Sequence, residues 1–223
     1  MVKNFTKKQQ GLSFDFIAPI YDLLASVASL GEIKRSRDAL LPYLPNVKNC
    51  LIIGGGGGDV LEYLLKNKKA EKLFFIEVSP KMLYKAQKKL NKKMPQEANK
   101  VQFILADFTD FKNPITFDLI VANYFLDLFP EKESNNFVAQ IRRMLAKDGL
   151  VLCADLYNSG YGFLKKQIFR FILFLIYKLF KFTSHLTNTE LPPIPELFIK
   201  NNFKSLSSKY FFFGILRSDI WKK

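Results

Sequence analysis

Short apolar runs alternate with longer amphipathic stretches along most of the chain. The apolar runs are rich in Ile, Leu, Val and Phe, which is typical of strands buried on both faces. They predict strands at 49–53, 73–77, 101–105, 117–123 and 149–155. The amphipathic stretches predict helices at 59–67, 80–93, 131–146 and 160–182. Alternation of this kind predicts a doubly wound α/β fold with a mostly parallel sheet.

The C-terminal region follows a different pattern. The proline-rich stretch 191–195 interrupts regular structure, and a short helix is predicted near 195–201. Two further strands are predicted at 203–210 and 211–218, and they could form an antiparallel pair. Together with the earlier strands they give a seven-stranded sheet with one antiparallel strand.

Five consecutive glycines, Gly54 to Gly58, lie between the first predicted strand and the first predicted helix. A turn without side chains lets a ligand lie directly against the backbone. The spacing of a dinucleotide fingerprint is absent in every frame, and so is the Gly-Lys-Ser/Thr of a phosphate loop. Gly-x-Gly-x-Gly does fit at Gly54, Gly56 and Gly58. The next strand ends in Glu77, at the distance where an acidic residue binds ribose hydroxyls, so we expect an adenosine-containing ligand.

The glycine pattern resembles the first motif of class I S-adenosylmethionine (SAM) methyltransferases. The resemblance implies a Rossmann-like fold, SAM as cofactor, and a glycine turn that holds the methionine part of the cofactor. These enzymes usually carry an acidic residue two positions before the first glycine, where this chain has Ile52. Another group must then anchor the cofactor's ammonium. Asp59 is one candidate, although Asp59 could equally be a helix N-cap.

Three further segments resemble later motifs of the same family. The run ending in Glu77 resembles the second motif, which implies that Glu77 binds the ribose and that Met82 packs on the adenine, unless Met82 is a core residue of its helix. Asp107 and Phe108 resemble the third motif, which implies a carboxylate for the adenine amino group and a ring that covers the base.

The segment 117–127 resembles the fourth motif, where a strand end faces the reacting methyl group. The resemblance implies that Asn123 lies at the cofactor, and it makes Tyr124 a candidate for a catalytic role. The prolines found here in enzymes that methylate exocyclic base nitrogens are absent, which argues against base N-methylation. His185, the only histidine, is the other catalytic candidate, although a lone histidine is more often structural.

The segment 14–24, followed by Ser29-Leu30-Gly31, resembles the opening of the ubiquinone/menaquinone C-methyltransferases and of their phospholipid-methylating relatives. The resemblance implies a lid over the cofactor, with Tyr21 near the cofactor's carboxylate. The alternative is an amphipathic helix that only covers the sheet edge. We expect one domain over 1–223, with a helical lid (1–45), a cofactor-binding core (46–156) and a substrate-side region (157–223).

Composition adds constraints on environment and partners. The length of 223 residues suits one α/β domain, and the net charge of +14 favours anionic partners. Cys50 and Cys153 lie in apolar runs and indicate core residues in a reducing compartment, and no metal-ligand cluster is visible. The N-terminus lacks a signal-peptide core, so we expect a cytoplasmic protein. The basic, Phe-rich helix at 163–182 is too short to span a membrane and predicts either a buried helix or peripheral contact with an anionic membrane face.

The sequence therefore predicts methyl transfer from SAM to a small apolar or amphiphilic acceptor such as a quinol, a polyene phenol or a lipid. Two alternatives remain open. An RNA methyltransferase is suggested by the net charge and by the pairs Lys88-Lys89 and Lys92-Lys93, but such lysines usually form a solvated helix face, which makes a nucleic-acid partner unlikely. A catalytically silent SAM-fold binding protein is suggested by Ile52.

Overall fold

The computed structural model describes residues 31–157 and 191–223. Its helices are α1 (Glu32–Asp38), α2 (Asp59–Lys66), α3 (Pro80–Lys93), α4 (Glu131–Met144) and α5 (Ile194–Lys200). Its strands are β1 (Val47–Ile53), β2 (Ala70–Glu77), β3 (Val101–Leu105), β4 (Phe117–Asn123), β5 (Leu145–Leu156), β6 (Lys204–Phe211) and β7 (Leu216–Lys222). The predicted helix at 163–182 and most of the predicted lid lie outside the described residues.

The seven strands form one sheet in the order β3-β2-β1-β4-β5-β7-β6. Strands β1 to β5 run parallel, and β7 runs antiparallel to both β5 and β6. The expectation of a doubly wound, mostly parallel sheet with a single antiparallel strand is confirmed. The strand order reverses between β1 and β4, and ligands of open α/β sheets bind beside such a reversal, at the carboxyl ends of the strands.

Local sequence explains where α3 begins and which face it buries. The Ser79 side chain accepts a hydrogen bond from the Met82 N–H at 3.2 Å, and Pro80 occupies the first helical position. Leu83, Ala86 and Leu90 recur at helical spacing and are buried against the sheet. The helix therefore has the bounds that the sequence predicts, 80–93.

The junction between α4 and β5 differs from the predicted helix at 131–146 and the predicted strand at 149–155. Strand β5 begins at Leu145, where it already pairs with Phe117, and the register then shifts so that Leu119 pairs with Leu150. Asp148 has a φ of 62° inside this stretch. The extra residues are accommodated as an irregularity within the strand, because Leu145 is pulled into the core that α4 also faces.

The sheet is covered on both faces, and each face has its own core. On one face α4 and α5 pack on the sheet, and Phe198 stacks on Trp221 at a ring distance of 4.9 Å. On the other face α2 and α3 bury Leu61, Leu64 and Leu90. Cys50 and Cys153 are both free and buried, so each packs as a small apolar core residue.

Gly55 should tolerate no side chain, because a Cβ atom there would lie 2.3 Å from the Phe75 ring and 2.8 Å from Ile52. We expect Gly55→Ala to lower the free energy of unfolding by about 1–3 kcal/mol through overpacking. Gly57→Ala is the matched control, since its Cβ would meet only the flexible Lys85 side chain, at 3.5 Å. Urea unfolding of both variants tests this, and equal stabilities would contradict it.

Candidate active site

A cavity of about 420 Å³ opens at the carboxyl ends of β1, β2 and β4, beside the reversal of strand order. Its wall brings together most of the residues that the sequence singles out: Gly54, Gly56, Glu77, Met82, Asp107, Phe108, Asn123 and Tyr124. Gly58 lies outside the wall and faces Ala86 of α3 instead. Tyr21 and His185 lie outside the described residues, so their predicted roles stay predictions.

The glycine turn has a backbone that side chains would disfavour. Gly54, Gly56 and Gly58 have φ values of 61°, 53° and 81°, in the left-handed region that glycine adopts without steric cost. The Gly54 N–H donates to the Ile76 carbonyl at 3.0 Å, which ties the turn to the end of β2. The cavity floor is therefore bare backbone that a ligand can approach closely.

Glu77 connects the turn to the ribose position that the sequence predicts. One carboxylate oxygen accepts the Gly56 N–H at 3.1 Å, and the other accepts the N–H groups of Val78 and Ser79, each at 3.0 Å. The side chain is only 8% exposed but lines the cavity. Because a carboxylate oxygen accepts more than one hydrogen bond, Glu77 can hold its backbone partners and also receive ribose hydroxyls.

The adenine end that the sequence predicts is a gap between apolar side chains and one carboxylate. Asp107 accepts hydrogen bonds from the N–H and the hydroxyl of Thr109, both at 2.8 Å, which fixes its orientation. Phe108 is buried and meets Phe125 edge to face at 5.7 Å. Met82 is half-buried and lines the same cavity, so it is placed to contact a ligand as well as its own helix.

The end of β4 carries the least satisfied polar group of the cavity. Both amide atoms of Asn123 are buried and have no hydrogen-bond partner among the described residues. Buried amides are nearly always paired in native proteins, so a polar ligand group is the expected partner here. The next residue, Tyr124, has a φ of 52° and hydrogen-bonds through its hydroxyl to Ser36 and to the Ile33 carbonyl of α1.

The sequence did not reveal that Arg37 and Lys89 meet Asp59 in the cavity wall. Arg37 of α1 donates to Asp59 at 2.8 Å, and Lys89 of α3 bonds the same carboxylate. Gly58 occupies the N-cap of α2, so Asp59 is the first helical residue and does not cap the helix. Burial of Asp59 opposes its ionisation, but the hydrogen bond from Lys89 and the charge of Arg37 outweigh burial and lower its pKa.

A pair of buried acids behind β4 was also missed. Asp155 accepts the Phe125 N–H at 3.0 Å and the Cys153 thiol at 2.7 Å, and Asp127 accepts the Leu156 N–H at 3.2 Å. Burial raises the pKa of Asp127 to about 6, and burial together with the charge of Asp127 raises the pKa of Asp155 well above its usual range. The two carboxyl groups therefore retain a proton at pH values where isolated acids have lost it.

Two absences hold for the described ranges. Within 31–157 and 191–223, no group of three or more His, Cys, Asp or Glu side chains is placed to hold a metal ion. No helix in those ranges has the length and apolar character needed to span a membrane.

Comparison with known proteins agrees with the geometry of the cavity. Residues 51–151 match a protein-family model described as a methyltransferase domain. A curated relative, the polyamine aminopropyltransferase of Caldicellulosiruptor saccharolyticus, is 28% identical over 111 residues. That match covers 48% of this chain and only 40% of the relative.

Two solved structures share the fold. The N-methyltransferase NodS of Bradyrhizobium japonicum, in complex with S-adenosyl-L-homocysteine (SAH), superposes with a TM-score of 0.63 at 16% identity, covering 86% of this chain and 87% of NodS. The magnesium protoporphyrin IX methyltransferase of Synechocystis, also with SAH, gives 0.62 at 14% identity, covering 100% of this chain and 90% of that protein.

The fold is the Rossmann-like fold of class I methyltransferases. Residues 51–151 of the chain match the methyltransferase domain model, and the two solved structures that share the fold both hold SAH. The cavity suits an adenosine-containing ligand of this kind, because the side-chain-free turn, the Glu77 carboxylate and the Asn123 amide, which has no partner among the described residues, lie in one wall.

Stability should fall as pH rises through the range where Asp127 loses its proton. The pKa of Asp127 is higher in the folded state than in an unfolded chain, so the folded protein binds more protons between about pH 4 and 6 and is destabilised above that range. We expect Asp127→Asn to raise the free energy of unfolding at pH 8 by about 1–3 kcal/mol, with the gain vanishing near pH 4.

Denaturant unfolding at pH 4, 6 and 8 measures this effect. Asp110→Asn is the matched control, because Asp110 is an exposed acid in the segment that follows β3. An Asp127→Asn variant no more stable than the wild type at pH 8 would show that the buried pair is fully compensated by its backbone donors.

Proposed function

We propose that this protein transfers the methyl group of SAM to a small apolar or amphiphilic acceptor, such as a quinol, a polyene phenol or a lipid. The observation that carries the proposal is the composition of one cavity wall. The glycine turn and Glu77 form one part of this wall. Phe125, Leu128 and Phe129 form another part, beyond the end of β4. A donor site and an apolar acceptor surface are therefore continuous.

The aromatic part of the wall is held rigidly. Phe129 packs on Phe125 at 5.2 Å and on Phe137 at 4.8 Å, and Phe108 meets Phe137 at 5.7 Å. Aromatic pairs in such arrangements resist rearrangement and offer a flat apolar surface. This surface suits a ring or a hydrocarbon chain better than a charged substrate.

Methyl transfer from SAM depends mainly on how the protein positions the donor and the acceptor. The sulfonium of bound SAM supplies a methyl group that is already activated. The protein contributes alignment and exclusion of water, which can provide much of the rate enhancement of a bimolecular transfer. Asn123 is placed to bind a polar atom at the reacting end, and the bond from Tyr124 to α1 closes the cavity on that side.

The two alternatives receive less support from the contacts. Lys89 bonds to Asp59 and Glu62 and Lys93 bonds to Glu62, so one lysine of each pair on α3 already has an acidic partner and is less available to RNA. Ile52 is 1% exposed and pairs with Phe75 and Val121 in the sheet, so core packing takes the place of the missing acid, and the glycine turn and Glu77 still line the cavity.

The finer resemblance to quinone and phospholipid methyltransferases stays part of this proposal, as does contact with an anionic membrane. Both depend mainly on segments 1–30 and 158–190. The net charge of +14 is compatible with such a surface.

The cofactor site can be tested by binding alone. Isothermal titration should show binding of SAM and SAH and none of NAD. Glu77→Ala should weaken SAH binding at least about tenfold, because it removes charged acceptors of the ribose and of the Gly56 N–H. Glu71→Ala, an exposed acid at the other end of β2, is the control. Unchanged SAH affinity in Glu77→Ala would place the cofactor elsewhere.

The acceptor side can be tested by turnover. SAH release should be measured with a panel of quinols, phenols, phospholipids and RNA, and an apolar or amphiphilic acceptor should be preferred. Phe129→Ala should then raise KM for that acceptor about tenfold and leave SAH affinity within about threefold, because it removes apolar contact area. Ile199→Ala, an exposed position on α5, is the control. Turnover of RNA alone would overturn the proposed acceptor.

A further inference from the structure

The cavity end next to the glycine turn is rich in cations. Arg37, Lys85 and Lys89 line it together with the Asp59 carboxylate, and the Glu77 carboxylate reaches the same turn through the Gly56 N–H. A Cβ atom on Gly57 would lie 3.6 Å from the Lys85 ammonium, so this cation stands beside the turn itself. In the family that the glycine pattern resembles, this turn holds the methionine part of the cofactor, which carries both a carboxylate and an ammonium.

Neighbouring carboxylates orient the Arg37 guanidinium, and some of its N–H groups remain available as hydrogen-bond donors. Its Nε and Nη2 groups donate to Asp38 at 2.8 and 3.2 Å, and its Nη1 group donates to Asp59 at 2.8 Å. A guanidinium has five N–H donors, so these three bonds leave two for a ligand. The side chain is only 19% exposed, and a partly buried guanidinium binds a carboxylate more strongly than an exposed one does.

We propose that Arg37 binds the carboxylate at the amino-acid end of the cofactor, with Lys85 as a second cation and Asp59 as the positioning residue that orients Arg37. The proposal rests on the proposed function, since it assumes that SAM occupies this cavity. It also accounts for Ile52: a wall dominated by cations recognises the carboxylate, so the acid that would anchor the ammonium is dispensable.

The proposal makes the site selective between two kinds of sulfonium donor. An aminopropyl donor ends in an ammonium without a carboxylate, whereas the methyl donor SAM has both. The relative that shares 28% identity with this chain is an aminopropyltransferase, so the distinction matters for this protein. A lone ammonium would face Arg37, Lys85 and Lys89 and leave Arg37 without its ligand partner, so the cavity should reject a decarboxylated donor.

Binding of three thioethers separates the contributions. SAH has the whole amino-acid end, decarboxylated SAH lacks only the carboxylate, and methylthioadenosine lacks both charged groups. The wild-type protein should bind SAH at least about thirtyfold more tightly than decarboxylated SAH, the range expected for loss of charged hydrogen bonds. Arg37→Gln should weaken SAH binding by a similar factor and leave methylthioadenosine affinity unchanged within about twofold.

The control is Lys93→Gln, which breaks an ion pair with Glu62 on the same surface but lies outside the cavity wall. It should leave all three affinities unchanged. Unchanged SAH affinity in Arg37→Gln would overturn the proposal, and so would an equal loss for SAH and methylthioadenosine, since that would reflect damage to the fold. A wild-type protein that binds none of the three would instead refute the proposed function.

Discussion

The carboxylate of Glu77 is the contact on which the wall of the cavity depends. It binds the backbone of the glycine turn through Gly56 and the start of the next loop through Val78 and Ser79. The ends of β1 and β2 are thus joined by one buried charge whose hydrogen bonds offset its burial. The same charge faces the cavity, so the group that fixes the turn is also the group placed to bind a ribose.

Helix α1 completes the cavity from the opposite side. It contacts the end of β4 through the bonds of Ser36 and Ile33 with Tyr124, and it reaches the start of α2 through Arg37 and Asp59. Ser218 of β7 also bonds the Ser36 carbonyl. The helix is short, and these long-range bonds determine its position more than its own propensity does. Cofactor binding and the placement of α1 should therefore be coupled.

The carboxyl ends of β4 and β5 combine groups whose pairing is incomplete. The Asn123 amide has no partner within residues 31–157 and 191–223, and the acids Asp127 and Asp155 share a buried region behind it. Protein cores rarely keep such groups without a reason, because each unpaired atom costs free energy. Their position next to the aromatic wall is what would be expected if this end of the sheet receives a substrate with both apolar and polar parts.

The sequence alone determined the strand and helix order, the glycine turn and Glu77. These depend on local spacing and on the burial of short apolar runs, which a single chain displays directly. It did not reveal that Arg37 meets Asp59, or that Asp127 lies beside Asp155, because these contacts join residues that are distant in the chain and carry no common motif. It also misplaced the start of β5, which was predicted at 149, because the packing of Leu145 in the core extends the strand back to that residue. Local pattern thus determined the architecture and the cofactor turn, whereas the charges and unpaired polar groups around the cavity were decided only when the sheet brought distant segments together.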